Sequence, residues 1–212
     1  MLKVKMFTFN DFSENTYVIH DDSNECIIID PGCSFKNEES MLTTYVSQNR
    51  LTPVMLINTH CHIDHILGNH FVSQKYELPL TAHEGEQIVL DMGQRTADMY
   101  SINYTPSPDI TQYLSEGDEV KFGSTKLEVY FTPGHSPASI SLVCKAEKIA
   151  IVGDVLFAGS IGRTDLPGGN YDTLIDVIKT KLFALDPDTI VYSGHGPATS
   201  IGKEIRTNPF FN

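Results

Sequence analysis

The 212-residue chain has only four cysteines, Cys26, Cys33, Cys61 and Cys144, scattered and without a CxxC pair. That count and spacing exclude a disulfide framework, and the four read as reduced thiols. Nowhere do about 18 apolar residues run uninterrupted, and the opening "MLKVKMFTFNDFSENTYVIHDD" lacks an apolar stretch of signal-peptide type. The expectation is a soluble, cytoplasmic protein with no membrane partner. Basic residues are also scarce: 15 Lys and Arg stand against 27 Asp and Glu, for a formal charge of −12. Without a Lys/Arg cluster to neutralise phosphates, nucleic acid is excluded as a partner and a small-molecule substrate is expected. Low-complexity tracts are absent, and 41% hydrophobic content suits one globular domain over residues 1–212.

What the chain does contain is a series of β-branched or apolar runs closed by turn chemistry: "TYVIH", "CIIIDPG", "VMLINTH", "LEVYFTPGH", "IAIVGD" and "TIVYSGH". Helical periodicity, with apolar residues three and four apart, marks "EESMLTTYVSQN", "HILGNHFVSQKY" and "YDTLIDVIKTKLFAL". Helices thus alternate with groups of strands, an α/β (α+β) pattern. Residues 92–116 have weak periodicity and carry Pro106 and Pro108, which predicts an irregular and functional excursion before a second strand-rich half opens at "GDEVKFGSTKLEVYF".

Four of the eight histidines fall in "NTHCHIDHILGNH", residues 58–70. In an extended segment side chains alternate, so His60 and His62 face one cavity while Cys61 turns the other way. Asp64 and His65 follow where the helical pattern begins, and there capping of free helix amides is the competing role for Asp64. Three other apolar runs end in Gly and then a good metal ligand: His135, Asp154 and His195. An isolated histidine after a strand is ordinarily a hydrogen-bonded side chain, and His20, His70 and His83 keep that reading. Five histidines and two aspartates in one repeated grammar are the mark of a metal site. Seven ligands with no cysteine exceed one closed tetrahedron, so two divalent cations sharing a carboxylate are expected, zinc first, with iron or manganese as alternatives.

The ordered set His60-Cys61-His62-Ile63-Asp64-His65, His135, Asp154 and His195 resembles the signature of the metallo-β-lactamase superfamily. Within it, "TPGHSPAS", "GDVLFAGSIGRTDLPGGNYDTL" and "SGHGPATSIGKEIRTNPF" are similar to the glyoxalase II-like hydrolases, especially the short single-domain type. The resemblance implies a four-layer αββα sandwich with the site at the edge between its sheets. It also implies that His60, His62 and His135 hold one metal, that Asp64, His65 and His195 hold the other, and that Asp154 bridges them. Asp30 matches an aspartate that orients ligand imidazoles, with a turn before Pro31-Gly32 as its competing role. The implied reaction is hydrolysis of a 2-hydroxyacyl thioester such as S-lactoylglutathione, with Asp64 also set to orient the attacking hydroxide or pass on its proton. Two-domain relatives carry an added helical region that helps bind glutathione, so those contacts are not carried over. Arg163 in "GRTD" is a candidate clamp for a substrate carboxylate, or a partner for Asp165. The alternatives are a persulfide dioxygenase using one iron on His60, His135 and Asp154, and a lactonase.

Overall fold

Two six-stranded sheets, described over residues 2–212 in a computed structural model, follow from the alternation of apolar side chains along the strands. In chain order the first comprises β1 (Lys3–Phe9), β2 (Glu14–His20), β3 (Glu25–Ile29), β4 (Thr52–Ile57), β5 (Leu80–Ala82) and β6 (Ile110–Tyr113), each beside the next. The second holds β7 (Glu119–Phe122), β8 (Thr125–Phe131), β9 (Ile140–Cys144) and β10 (Ile149–Gly153). A short ribbon, β11 (Leu156–Phe157) and β12 (Ser160–Ile161), interrupts before β13 (Ile190–Ser193) and β14 (Thr199–Ser200) complete that sheet in the order β14-β13-β10-β9-β8-β7.

Three apolar clusters show how the layers stack. Tyr17, Ile19, Ile27 and Ile29 of the first sheet meet Phe122, Leu127, Val129 and Ile151 of the second in a core between the sheets. The alternate residues Val18, Cys26 and Ile28 point the other way, toward α1 (Lys36–Gln48), α2 (Ile63–Ile66), α3 (Asn69–Tyr76), α4 (Gln87–Asp91) and α5 (Gly93–Tyr100). On the far side, Val143, Ala150 and Val191 pack against α6 (Tyr171–Val177), the wider helical turn Ile178–Leu182 and α7 (Ile201–Thr207). The αββα sandwich is therefore what period-two strands buried on both faces require.

Two expectations need correction. The periodic stretch "HILGNHFVSQKY" is not one helix: it breaks between α2 and α3 at Gly68, whose amide donates to the Pro31 carbonyl at 2.7 Å, and where an added Cβ would lie 2.4 Å from Cys33 Sγ. The segment 92–116 is less irregular than its prolines suggest, because Gly93 and Ala97 seat α5 in the helical layer and Ile110 begins β6 alongside β5. Among the described residues no helix is long and apolar enough to cross a membrane.

Strand direction positions the site. β3 and β4 are parallel, as are β10 and β13, and β9 runs antiparallel to both β8 and β10. The C-terminal ends of β3, β4, β8, β10 and β13 therefore arrive at one edge of the sandwich, bringing Asp30, the 58–65 segment, His135, Asp154 and His195 with them. The sheets are pinned there by hydrogen bonds between layers: Asn15 N–H to the Gly194 carbonyl (2.7 Å), the Tyr17 hydroxyl to the Ser193 carbonyl (2.6 Å) and Ile140 N–H to the Thr59 carbonyl (2.9 Å).

Candidate metal centre

β4 stops at Ile57, and residues 58–62 leave it as an irregular but extended segment, with His62 at φ −64° and ψ 152°. Alternation survives the end of the strand: Cys61 is buried in the apolar cluster under the helices, while the His60 and His62 rings lie 4.9 Å apart. Asp64 is in the first turn of α2, yet no side chain caps that helix; its Oδ2 instead lies 3.1 Å from His195 Nε2.

Donor atoms converge in two groups. One atom each from His60, His62 and His135 fall within 4.8 Å of one another, as do atoms from Asp64, His65 and His195. Asp154 stands between the groups, with Oδ1 3.4 Å from His65 Nε2 and Oδ2 3.5 Å from both His135 Nε2 and His195 Nε2. Atoms of Asp30, His60 and His65 also lie within 4.8 Å of one another, but both Asp30 oxygens are already engaged. They accept from Thr59 N (2.7 Å), Thr59 Oγ1 (2.6 Å) and Asn58 Nδ2 (3.3 Å), and Oδ2 lies 3.2 Å from His65 Nδ1. Asp30 thus touches the His65 ring directly and reaches the His60 ring through Thr59.

Four of the five rings have one nitrogen committed away from the centre. His60 Nδ1 faces Thr59 Oγ1 (3.1 Å), His65 Nδ1 faces Asp30, His135 Nδ1 faces the Arg163 carbonyl (2.7 Å) and His195 Nδ1 faces the Ser13 carbonyl (3.2 Å). The other nitrogen of each then aims inward. His60 Nε2, both His65 nitrogens and Asp154 Oδ1 are buried without a hydrogen-bond partner, His65 Nδ1 lying 3.2 Å from Asp30 Oδ2. Buried polar atoms left so are expensive, and inward oxygen and imidazole atoms whose rings are held by outward contacts are what a divalent cation requires. The residues fit the group.

The electrostatics agree. Burial, reinforced by surrounding imidazoles, holds His60 well below the usual histidine range. Burial and then His135 push His62 down to about 3, and burial lowers His135 despite Asp154. These rings keep their lone pairs. Burial opposes charge on His65 and His195 as well, but Asp64 and Asp154 outweigh it and raise both. Burial works in the opposite sense on Asp64 and Asp154, where facing histidines prevail and keep them ionised. A cation bound here would compete with protons for His65 and His195, which would couple its uptake to pH.

Gly194 shows why a glycine precedes a ligand at a strand end: a Cβ there would lie 2.1 Å from Asp154 Oδ1 and 2.7 Å from His65 Cε1. Of the histidines given the ordinary reading, His20 Nε2 pairs with the Tyr45 hydroxyl (2.9 Å), His83 stacks on Phe131 and His70 is exposed. Arg163 reaches the cleft over the centre, but its guanidinium forms a bidentate pair with Asp165, both contacts 2.7 Å.

Sequence reading missed Glu86 and Thr59. Glu86 is fully buried and accepts from Cys61 N (2.8 Å), Ser136 Oγ (2.7 and 2.8 Å) and Ala138 N (2.8 Å), so one carboxylate clamps the loop bearing His60 and His62 to the loop bearing His135. No local pattern marks it. Thr59 relays Asp30 to His60, and its place within the histidine segment was the available signal.

Known proteins share this architecture along its whole length. The chain is 39% identical over 214 residues to the probable metallo-hydrolase YqgX of Bacillus subtilis, covering 100% of this chain and 98% of that one. It is 33% identical over 218 residues to the hydroxyacylglutathione hydrolase GloC of Haemophilus influenzae, covering 100% and 99%. Among solved structures, BLEG-1 B3 metallo-beta-lactamase superposes with a TM-score of 0.90 at 34% identity, covering 99% of this chain and 100% of that one. TTHA1623 in a di-iron-bound form does so at 0.88 and 31%, covering 98% and 100%. The profile of the metallo-beta-lactamase superfamily matches residues 9–195, a span that runs from the end of β1 through β13 and takes in every candidate donor of the centre. By sequence, fold and site, the chain belongs to the metallo-beta-lactamase superfamily, among its metallo-hydrolases.

Proposed function

We propose that the chain is a binuclear metal-dependent hydrolase that cleaves a 2-hydroxyacyl thioester of the S-lactoylglutathione type. The observation that carries this reading is Asp154, whose two oxygens face histidines of both donor groups while Oδ1 has no hydrogen-bond partner. His60, His62 and His135 would hold one cation, Asp64, His65 and His195 the other, and Asp154 both; zinc suits the donor set, and iron or manganese also accept it. When bound, such ions activate water near neutral pH and polarise a carbonyl oxygen.

The chain's own groups supply order. Asp30 directs His65 by contact and His60 through Thr59, one ring from each donor group. The carbonyls of Arg163 and Ser13 set the tautomers of His135 and His195. Asp64, ionised and beside His195, would orient a nucleophile or carry its proton. No side-chain nucleophile competes: burial raises the Cys61 thiol well above its usual range, so it stays protonated. A thiolate leaving group, with a conjugate acid pKa of about 8.5, needs little protonation. The likeness to GloC supports the thioester class, and four unpaired, buried cysteines suit a cytoplasmic setting.

Metal-to-protein ratios and two assays test the reading. Zinc-loaded protein is expected to hold about two ions and to cleave S-lactoylglutathione; Asp154→Ala should lower occupancy at both positions, and His195→Ala mainly at one. A parent ratio near one that His195→Ala leaves unchanged, with oxygen uptake on glutathione persulfide and no thioester turnover, would replace it with the single-iron dioxygenase.

A further inference from the structure

We propose that the cleft over the metal centre selects its substrate by an apolar body and does not read the charges of a peptide-like thiol carrier. This rests on the hydrolase reading and names its substrate class. The cavity is about 460 Å³, and its walls away from the metal donors are predominantly apolar. Phe12 from the β1–β2 turn meets Tyr100 of α5 edge-to-face, with ring centroids 5.6 Å apart, and Val89, Met92, Phe157 and Leu166 line the rest. Phe12, Met92 and Tyr100 are 36%, 37% and 53% exposed, so these side chains at the mouth of the cleft are not consumed by the core.

Polar recognition is sparse by comparison. Arg163 is the one Lys or Arg among the lining residues, and Asp165 already occupies its guanidinium at two contacts of 2.7 Å. Asp64 and Asp154 are the other fully charged side chains on the wall, and both belong to the centre. A glutathione thioester carries two carboxylates and one ammonium, against which the wall sets one cation, already paired with Asp165, and no anion outside the centre. Burial of apolar surface is what remains to provide affinity.

Calorimetric titration of the metal-loaded protein with uncleavable thioethers tests this without relying on turnover. S-benzylglutathione should bind about tenfold or more tighter than S-methylglutathione, the gain from covering one aromatic ring. The benzyl thioether of uncharged N-acetylcysteamine should match S-benzylglutathione within about threefold. Met92→Ser and Tyr100→Ala, both at partly exposed positions, should each shrink the ratio of S-benzylglutathione to S-methylglutathione affinity. A benzyl gain below about twofold, or a loss of tenfold or more on removing the glutathione charges, overturns the proposal. Failure of the hydrolase reading looks different: thioethers would bind in the expected order while no thioester is cleaved under any metal loading.

Discussion

Glu86→Gln isolates the clamp beneath the metal loops. The substitution preserves shape but replaces one carboxylate oxygen with an amide NH₂. In the parent, Oε2 accepts from Cys61 N and Oε1 from Ala138 N, each at 2.8 Å, with Ser136 Oγ between them. The glutamine oxygen can serve only one of those backbone amides, and its NH₂ then confronts the other, donor against donor. Burial raises the Glu86 pKa, yet even a protonated carboxyl keeps lone pairs on both oxygens, so the contrast holds in either protonation state. A buried amide left without its acceptor costs about 1–3 kcal/mol, which in a chain of this size lowers the midpoint of metal-free thermal unfolding by roughly 2–12 °C. The second consequence is specific to the site. With the His60/His62 loop no longer tied to the His135 loop, affinity at that position should fall about 10- to 100-fold, as it does when groups supporting metal ligands are removed elsewhere. Zinc competition against a chelator, followed for both binding steps, reads this directly. The reasoning is refuted if the variant melts within about 1 °C of the parent and binds zinc as tightly, or if only the His65/His195 position is lost.

Gly194→Ala places a methyl group against Asp154 Oδ1 and His65 Cε1 and should reduce zinc content at least about tenfold, measured by elemental analysis on protein whose circular dichroism is unchanged. Cys61→Ala should retain the parent's metal content, because the thiol lies in the apolar cluster on the side away from the donor rings, while the small cavity costs about 1 kcal/mol in denaturant titration. Asp21, at the opposite edge, accepts from Ser23, Ser124 and Thr125; burial opposes its charge, but these hydrogen bonds prevail and hold its pKa below the usual carboxylate value. Its stabilisation is therefore full above the unfolded pKa of about 3.9 and is lost as pH falls through the lower folded value, so Asp21→Asn should cost about 1–3 kcal/mol at pH 7 and progressively less in acid melts.

The candidate donors that the fold brings together were legible in the sequence because they obey a local rule: an apolar strand, a glycine and a His or Asp, repeated before His135, Asp154 and His195, with four more candidates packed into residues 60–65. The layer architecture was legible for a similar reason, since strands such as "CIIID" lack a polar face and must be covered on both sides. Helix boundaries were less so, because Gly68 ends α2 through a tertiary contact with Pro31, and α5 turns only the small Gly93 and Ala97 into the core, with no large apolar residue to mark its buried face. Which nitrogen of each ring faces inward, that Arg163 meets Asp165, and that Glu86 joins two ligand loops were decided only by tertiary structure. Glu86 and Ser136 are 50 residues apart, and a hydrogen bond across that distance leaves no period, spacing or composition to read. The apolar mouth of the cleft has the same origin: Phe12, Met92, Tyr100 and Phe157 come from separate elements, and only the convergence of strand ends at one edge of the sandwich makes them neighbours.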